Sequence, residues 1–325
     1  MRANDFRRIR ASKITRHQNT NGTVDVPVGI TNIAGMWDIL KTKSTHHSEL
    51  EWRRILDSEE VEEHLVKWCI LHFAQASSTP LASERWLNLL DLHSESNSLE
   101  DILSGNFHPR NTTQEILQFL RACTRKTDDK VDTRLTFSHF KAFFRKQNEI
   151  KLSSPSGLHY GHAKTLAHDE DLLRLRFDIL NLAFTHNVIL CRWTKVWETL
   201  LAKESPHQFI HRFRNITIIE WDLQYLMKTI WAKRLMSQAR TFLNPCQNAA
   251  AGKVPQSSVL SHKIALSTML IKGETSFIIV NDATNCYDRI LLPIAVIAIL
   301  RAGLPKHAAS FLLLFLQCAK HCLLI

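Results

Sequence analysis

Val61, Leu65, Trp68, Cys69, His72 and Ala76 return at the three-and-four spacing that lines one face of an α-helix. Asp57 with Glu60 three residues on forms a capping-box pair that would start this helix, and Thr79-Pro80 would end it. A second pair, Thr112 with Glu115, opens a predicted helix through Ile116, Leu120 and Cys123, and Thr136 to Gln147 is a third amphipathic segment. Between the last two lies the polar stretch TRKTDDKVD, which reads as loop. Ahead of all three, residues 21 to 50 are mixed and rich in Thr, Asn and His, consistent with loop and one short helix near Met36 to Leu40.

The pattern changes at Ser153-Ser154-Pro155-Ser156-Gly157, a turn-rich break. Asp171 to Thr185 then reads as a long helix, Gln208 to Ile219 as a strand or hairpin, and Leu223 to Ala239 as helix again. Ser276 to Val280 is a short apolar run without alternation, as expected of a strand covered on both faces. Arg289 to Arg301 and Pro305 to Cys322 form two predicted helices around Gly303-Leu304-Pro305, where Gly can close the first and Pro open the second. Only nine Gly and no internal repeat favour a helix-rich α+β chain over a fold of many tight turns.

At 325 residues and 45% hydrophobic, the chain can bury a substantial core. Its 41 Lys and Arg against 31 Asp and Glu leave +10, an excess that attracts polyanions by counterion release and makes nucleic acid the leading partner class. Six of those cations fall in residues 1 to 20 with one acidic residue, which reads as a basic flexible arm. Seven Cys with no CxxC pair point to free thiols in a reducing compartment, and the N-terminus shows no signal-peptide pattern. Neither Ile290 to Leu300 nor Ala308 to Ile325 suits a membrane span, since the first is short and holds Pro293 and the second carries Lys320 and His321. An intracellular site, nuclear or cytoplasmic, and no membrane partner follow as expectations.

Candidate chemistry concentrates in FIIVNDATNCYDRI, residues 277 to 290. A strand end is a rigid mount for a metal-holding carboxylate, and Asp282 occupies that position with Tyr287 five residues on. The same residues fit a strand followed by a helix that Asp282 or Asp288 caps. His159 and His162 have a spacing that metals can use on a helix, but no third ligand lies nearby in sequence.

The stretch resembles the first catalytic palm motif of reverse transcriptases, in the form found in non-LTR, LINE-like retroelements of diatoms and similar protists. FAQASSTP, SSPSGLHYGHAKTL, HRFRNITIIEWDLQYLMKTIWAKRLM and GLPKHAASFLL resemble further blocks of that family in the family's order, over about residues 50 to 325. The resemblance implies a basic arm (1–20), a mostly helical N-terminal extension (21–150), a fingers-like region (151–250) and the first half of a right-hand polymerase palm (251–325). It implies RNA-templated DNA synthesis from a DNA primer and deoxynucleoside triphosphates, with Mg²⁺ or Mn²⁺ as cofactor. Asp282 would be the catalytic carboxylate and, with the Ala283 carbonyl, a metal ligand. Tyr287 would pack against the incoming sugar, Arg214 and Lys203 would reach the triphosphate, and Lys195, Arg212 and Lys253 would contact nucleic acid.

Residues 192 to 240 carry nine Lys and Arg against four Asp and Glu, interleaved with Trp193, Trp197, Phe209 and Trp221, a mixture suited to phosphates and stacked bases as well as to ordinary core packing. Two departures qualify the resemblance. The segment at 247–253 keeps Gln247 but has Ala where the family carries Gly and Arg, and no Y-x-D-D follows Asp288. The expectation is therefore a clipped chain without polymerase activity of its own, with a non-catalytic nucleic-acid-binding remnant or a helical scaffold as the alternatives.

Overall fold

Aromatic residues at helical spacing decide where the main core forms. The computed structural model describes residues 24–27, 51–73, 79–83, 97–108, 112–125, 127–148, 154–202, 209–241, 255–273 and 290–324. In chain order the elements are β1 (Val24–Pro27), β2 (Trp52–Ile55), α1 (Ser58–Phe73), α2 (Asn97–Ser104), α3 (Gln114–Ala122), α4 (Phe137–Arg145), α5 (Tyr160–Leu166) and α6 (Glu170–Thr185). They continue with β3 (Lys195–Ala202), β4 (Phe213–Ile218), α7 (Trp221–Leu226, Met227–Leu235 and Met236–Ala239, one continuous run), α8 (Pro255–Ile271), α9 (Leu292–Arg301), α10 (Lys306–Cys318) and β5 (Lys320–Leu324). The architecture is helix-rich α+β, and among the described residues no helix is long and apolar enough to cross a membrane.

Phe140 and Phe144, one turn apart on α4, are fully buried and meet Phe177 of α6 and Trp221 and Tyr225 of α7. Phe144 meets Trp221 edge-on at 4.7 Å between centroids, and Phe140 meets Tyr225 at 5.1 Å. Edge-to-face contacts of this kind stabilise beyond the area they bury. Thr136 caps α4 by accepting from the His139 N–H, and Asp169 caps α6 by accepting from the Leu172 N–H, so both helices begin within a residue or two of where their patterns start. The cap of α3 is Thr113, one residue after the expected Thr112.

A second, smaller core joins Val24, Val26 and Ile55 to Val61, Leu65, Trp68 and Cys69, the predicted face of α1. Asp57 accepts from the Glu59 and Glu60 N–H groups, but the Glu60 carboxylate turns outward to Arg53 instead of closing the capping box. β1 and β2 are antiparallel, and β1 falls within residues 21 to 50, which read as loop with one short helix. Strands of four residues offer no usable periodicity, and the pairing spans Val24 with Ile55, so nothing local announces it. Asp25 of β1 is buried and accepts two bonds from Arg54 of β2, at 2.8 and 3.0 Å. The segment near Met36 lies outside the described residues.

α7 departs from α-helical winding over Met227–Leu235, where its bonds skip five residues. Of its buried residues, Leu226, Ile230, Leu235 and Ala239 are spaced four, five and four apart, wider than an α-helix keeps on one face, and Trp221, Asp222, Leu223, Tyr225 and Trp231 are buried as well. The wider turn holds them all against the core. It also lets Arg234 donate to the carbonyls of Asp132 and Arg134, which fastens the segment ahead of α4.

Pro305 to Cys322 does not continue as one helix. α10 ends at Cys318, and Lys320–Leu324 forms strand β5 beside β3, because a parallel partner far away in sequence overrides the local helical pattern. The turn between α9 and α10 does form at Gly303. Its φ is 86°, its carbonyl accepts from the Val131 N–H at 2.9 Å, and Arg301 Nε donates to the Thr124 carbonyl at 3.1 Å. The polar loop thus docks on this turn.

Gly303→Ala forces a side chain into left-handed backbone and against the Asp129 carbonyl oxygen, and is expected to cost about 1–2 kcal/mol or more, read as a lower urea midpoint at unchanged slope. Burial raises the Tyr160 and Tyr225 hydroxyls to about 12, so they contribute stability below the ordinary tyrosine range that is lost as pH rises toward that value. Tyrosinate absorbance is expected to show both ionising only with alkaline unfolding, and Tyr225→Phe to blunt the alkaline loss.

Candidate nucleic-acid interface

The site is built on β3, whose side chains alternate Lys195, Trp197, Thr199 and Leu201 on one face with Val196, Glu198 and Leu200 on the other. The sheet order is β4-β3-β5, with β4 antiparallel and β5 parallel to β3. Leu201 pairs with Arg214, Thr199 with Ile216, Trp197 with Ile218 and Lys195 with Lys320, so these residues share the outer face. Lys195, Lys320 and Arg214 are exposed, and no carboxylate among the described residues pairs with them. Leu201 and Ile216 are 47% and 43% exposed, large values for apolar side chains on a sheet.

The inner face carries a polar group in an apolar setting. Glu198 is 2% exposed and accepts from Thr217 Oγ1 at 2.9 Å, while His321 Nδ1 lies 2.5 Å from its Oε1. Val196 belongs to the main core and Leu200 and Leu323 to the smaller one, so Glu198 sits at the seam between the two. A buried carboxylate needs such partners, and here they come one from each neighbouring strand.

Beyond β4 the chain enters α7 through Glu220-Trp221-Asp222, all buried. Glu220 accepts from the Ser156 N–H at 2.8 Å and from Ser156 Oγ at 2.9 Å, which fastens the Ser-Pro-Ser-Gly turn. Arg192 donates to both carboxylates, bridging Glu220 at 3.5 Å and gripping Asp222 with two nitrogens. Asp222 also accepts from Trp193 Nε1 at 2.9 Å and from the Leu223 N–H at 2.9 Å. The hairpin is therefore held at its root by charge-assisted bonds among three separate segments.

Of the residues singled out in the sequence, Lys195 and Arg214 come together on the outer face. Arg212 is half-buried in the tight turn before β4. Lys203, Lys253, Asp282, Ala283 and Tyr287, together with the apolar run 276–280, lie outside the described residues. Trp193 and Trp221 are core residues, whereas Trp197 and Phe209 are only half-buried. The imidazoles of His159 and His162 close the first turn of α5: His159 Nδ1 accepts from the Gly161 N–H at 3.1 Å and His162 Nδ1 from the His159 N–H at 2.9 Å. Both are therefore occupied as caps. Among the described residues no group of three or more His, Cys, Asp or Glu could hold a metal ion.

Lys320 falls in a stretch whose local pattern is helical, so nothing in the sequence sets it beside Lys195. Glu220 and Asp222 carried no signal beyond an acidic residue on each side of a Trp. The chain matches no protein-family model, and a comparison with curated proteins finds no match.

Glu220→Ala leaves both Ser156 donors without their acceptor while Arg192 keeps Asp222, and is expected to cost about 1.5–3 kcal/mol or more by urea unfolding. Ser156→Ala is expected to cost about 1.5–3 kcal/mol alone and much less in the Glu220→Ala background, a coupling that a double-mutant cycle measures.

Proposed function

We propose that the chain is the fingers and first part of the palm of a reverse transcriptase of the non-LTR type, and that the outer face of the β4-β3-β5 sheet carries a nucleic-acid strand. The observation behind the second half of this reading is the register that places Lys195 and Lys320 at one end of that face and Arg214 at the other. Six residues of strand separate the ends, about 20 Å, or about six nucleotides at about 3.4 Å each. Lys195 and Lys320 suit phosphodiester oxygens, Trp197 and Ile216 offer apolar surface for bases, and Arg214 suits bidentate contact with the terminal phosphates of an incoming nucleotide.

The first half of the reading rests on the ordered sequence blocks. Two of them, the Ser-Pro-Ser-Gly turn and the segment running from β4 into α7, are joined by the Ser156–Glu220 bonds. In the complete enzyme a divalent ion would supply charge stabilisation at Asp282 and the Ala283 carbonyl. Tyr287 would pack on the sugar, and Lys203, Arg212 and Lys253 would add positive charge around the strand.

Anisotropy of a labelled single-stranded oligonucleotide, titrated with protein at several salt concentrations, tests the interface. Log affinity is expected to fall linearly with log salt, and Lys195→Ala and Arg214→Ala should each weaken binding and flatten the slope by about 0.7. Lys141→Ala, at a cation of α4 already paired with Glu170 of α6, should leave it unchanged. Affinity that does not depend on salt would overturn the reading in favour of a helical scaffold.

A further inference from the structure

α6 has two apolar faces, and only one is used. Leu173, Phe177, Leu180 and Phe184 are buried in the main core. On the opposite side Leu172, Leu175, Ile179 and Leu182 are 49%, 56%, 37% and 58% exposed. Their spacing of three, four and three is that of a and d positions in a heptad, with Leu172 and Ile179 at a and Leu175 and Leu182 at d. Asp171 then occupies a g position and Arg176 the following e position.

We propose that this face is a self-association surface, on which α6 of a second copy packs in parallel and in register. Charge complementarity selects both the partner and its direction. In a parallel pair the g residue of one helix faces the e residue five positions on in the other, so Asp171 of each copy meets Arg176 of its mate, twice by symmetry. In an antiparallel pair centred on the stripe the e flanks face each other, as do the g flanks, which sets Arg176 near Arg176 and Asp178 near Asp178. Ile179 at a, between Leu175 and Leu182 at d, also favours a two-stranded parallel seam. The stripe covers ten residue steps, about 15 Å, a short seam that gives a reversible, concentration-dependent dimer and not a permanent one. This surface is separate from the β4-β3-β5 face and does not depend on nucleic acid.

Sedimentation equilibrium of the full chain across a concentration range tests it. A reversible monomer–dimer equilibrium is expected, and Leu175→Asp should raise its dissociation constant roughly a hundredfold or more, since the change is made in both copies. Asp171→Lys should weaken the dimer severalfold, and Asp171→Lys with Arg176→Asp should restore it. Should Leu175→Asp fail to fold, Leu175→Cys in a Cys191→Ser background supplies the second measurement: mild oxidation is expected to link copy to copy through position 175. A chain that stays monomeric at every concentration, a dimer indifferent to Leu175→Asp, or a charge swap that does not rescue would each overturn the proposal.

Discussion

Two carboxylates buried side by side, Glu220 and Asp222, govern how the middle of this molecule is assembled. Neither could be tolerated without partners, because an ionised carboxylate removed from water costs far more than a single hydrogen bond returns. Arg192 supplies opposite charge to both, and Ser156, Trp193 and the backbone at Leu223 supply donors to the remaining oxygen lone pairs. The turn before α5, the turn before β3 and the start of α7 are thereby tied at one point. Alternative packings of these segments would leave at least one charge buried and unpaired.

The sheet follows from that anchorage. With the turn at Cys191–Thr194 held by Arg192 and Trp193, β3 leaves in a fixed direction and β4 returns along it into Glu220. Glu198 then plays a comparable part at the seam of the two cores, bonded to Thr217 on one side and His321 on the other. Strand β5 is thus drawn to β3 by a polar contact as well as by its backbone ladder. With the inner face committed in this way, the pleat leaves Lys195, Trp197, Arg214 and Lys320 on the outer face. The exposed basic and apolar mixture is a geometric consequence of a buried network beneath it.

Much of the helical content was legible from local pattern. The faces of α1, α4, α6 and α10 and the stop at Gly303 depend on apolar spacing, caps and a left-handed turn, each of which acts over a few residues. The chemical character of the hairpin was legible as well, since Lys195 and Arg214 stand out among aromatic and β-branched neighbours whatever they pack against. By contrast, local pattern does not announce β1, β2, β3, β5, α2, α5 or α8. Short strands carry little periodicity, and an apolar helix such as Pro255–Ile271 shows almost no face to recognise.

The sequence by itself therefore determined which segments are amphipathic helices, where the turns fall and that the chain is basic, because those properties reside in neighbouring residues. Only the tertiary structure decided that Lys320 lies beside Lys195, that Ser156 meets Glu220, that the imidazoles of His159 and His162 serve as caps, and that Leu172, Leu175, Ile179 and Leu182 remain uncovered. The first two bring together residues more than sixty positions apart. For the histidines and the α6 stripe, the spacing alone fits two environments, and which one is real depends on how the folded chain uses its donors and fills its core.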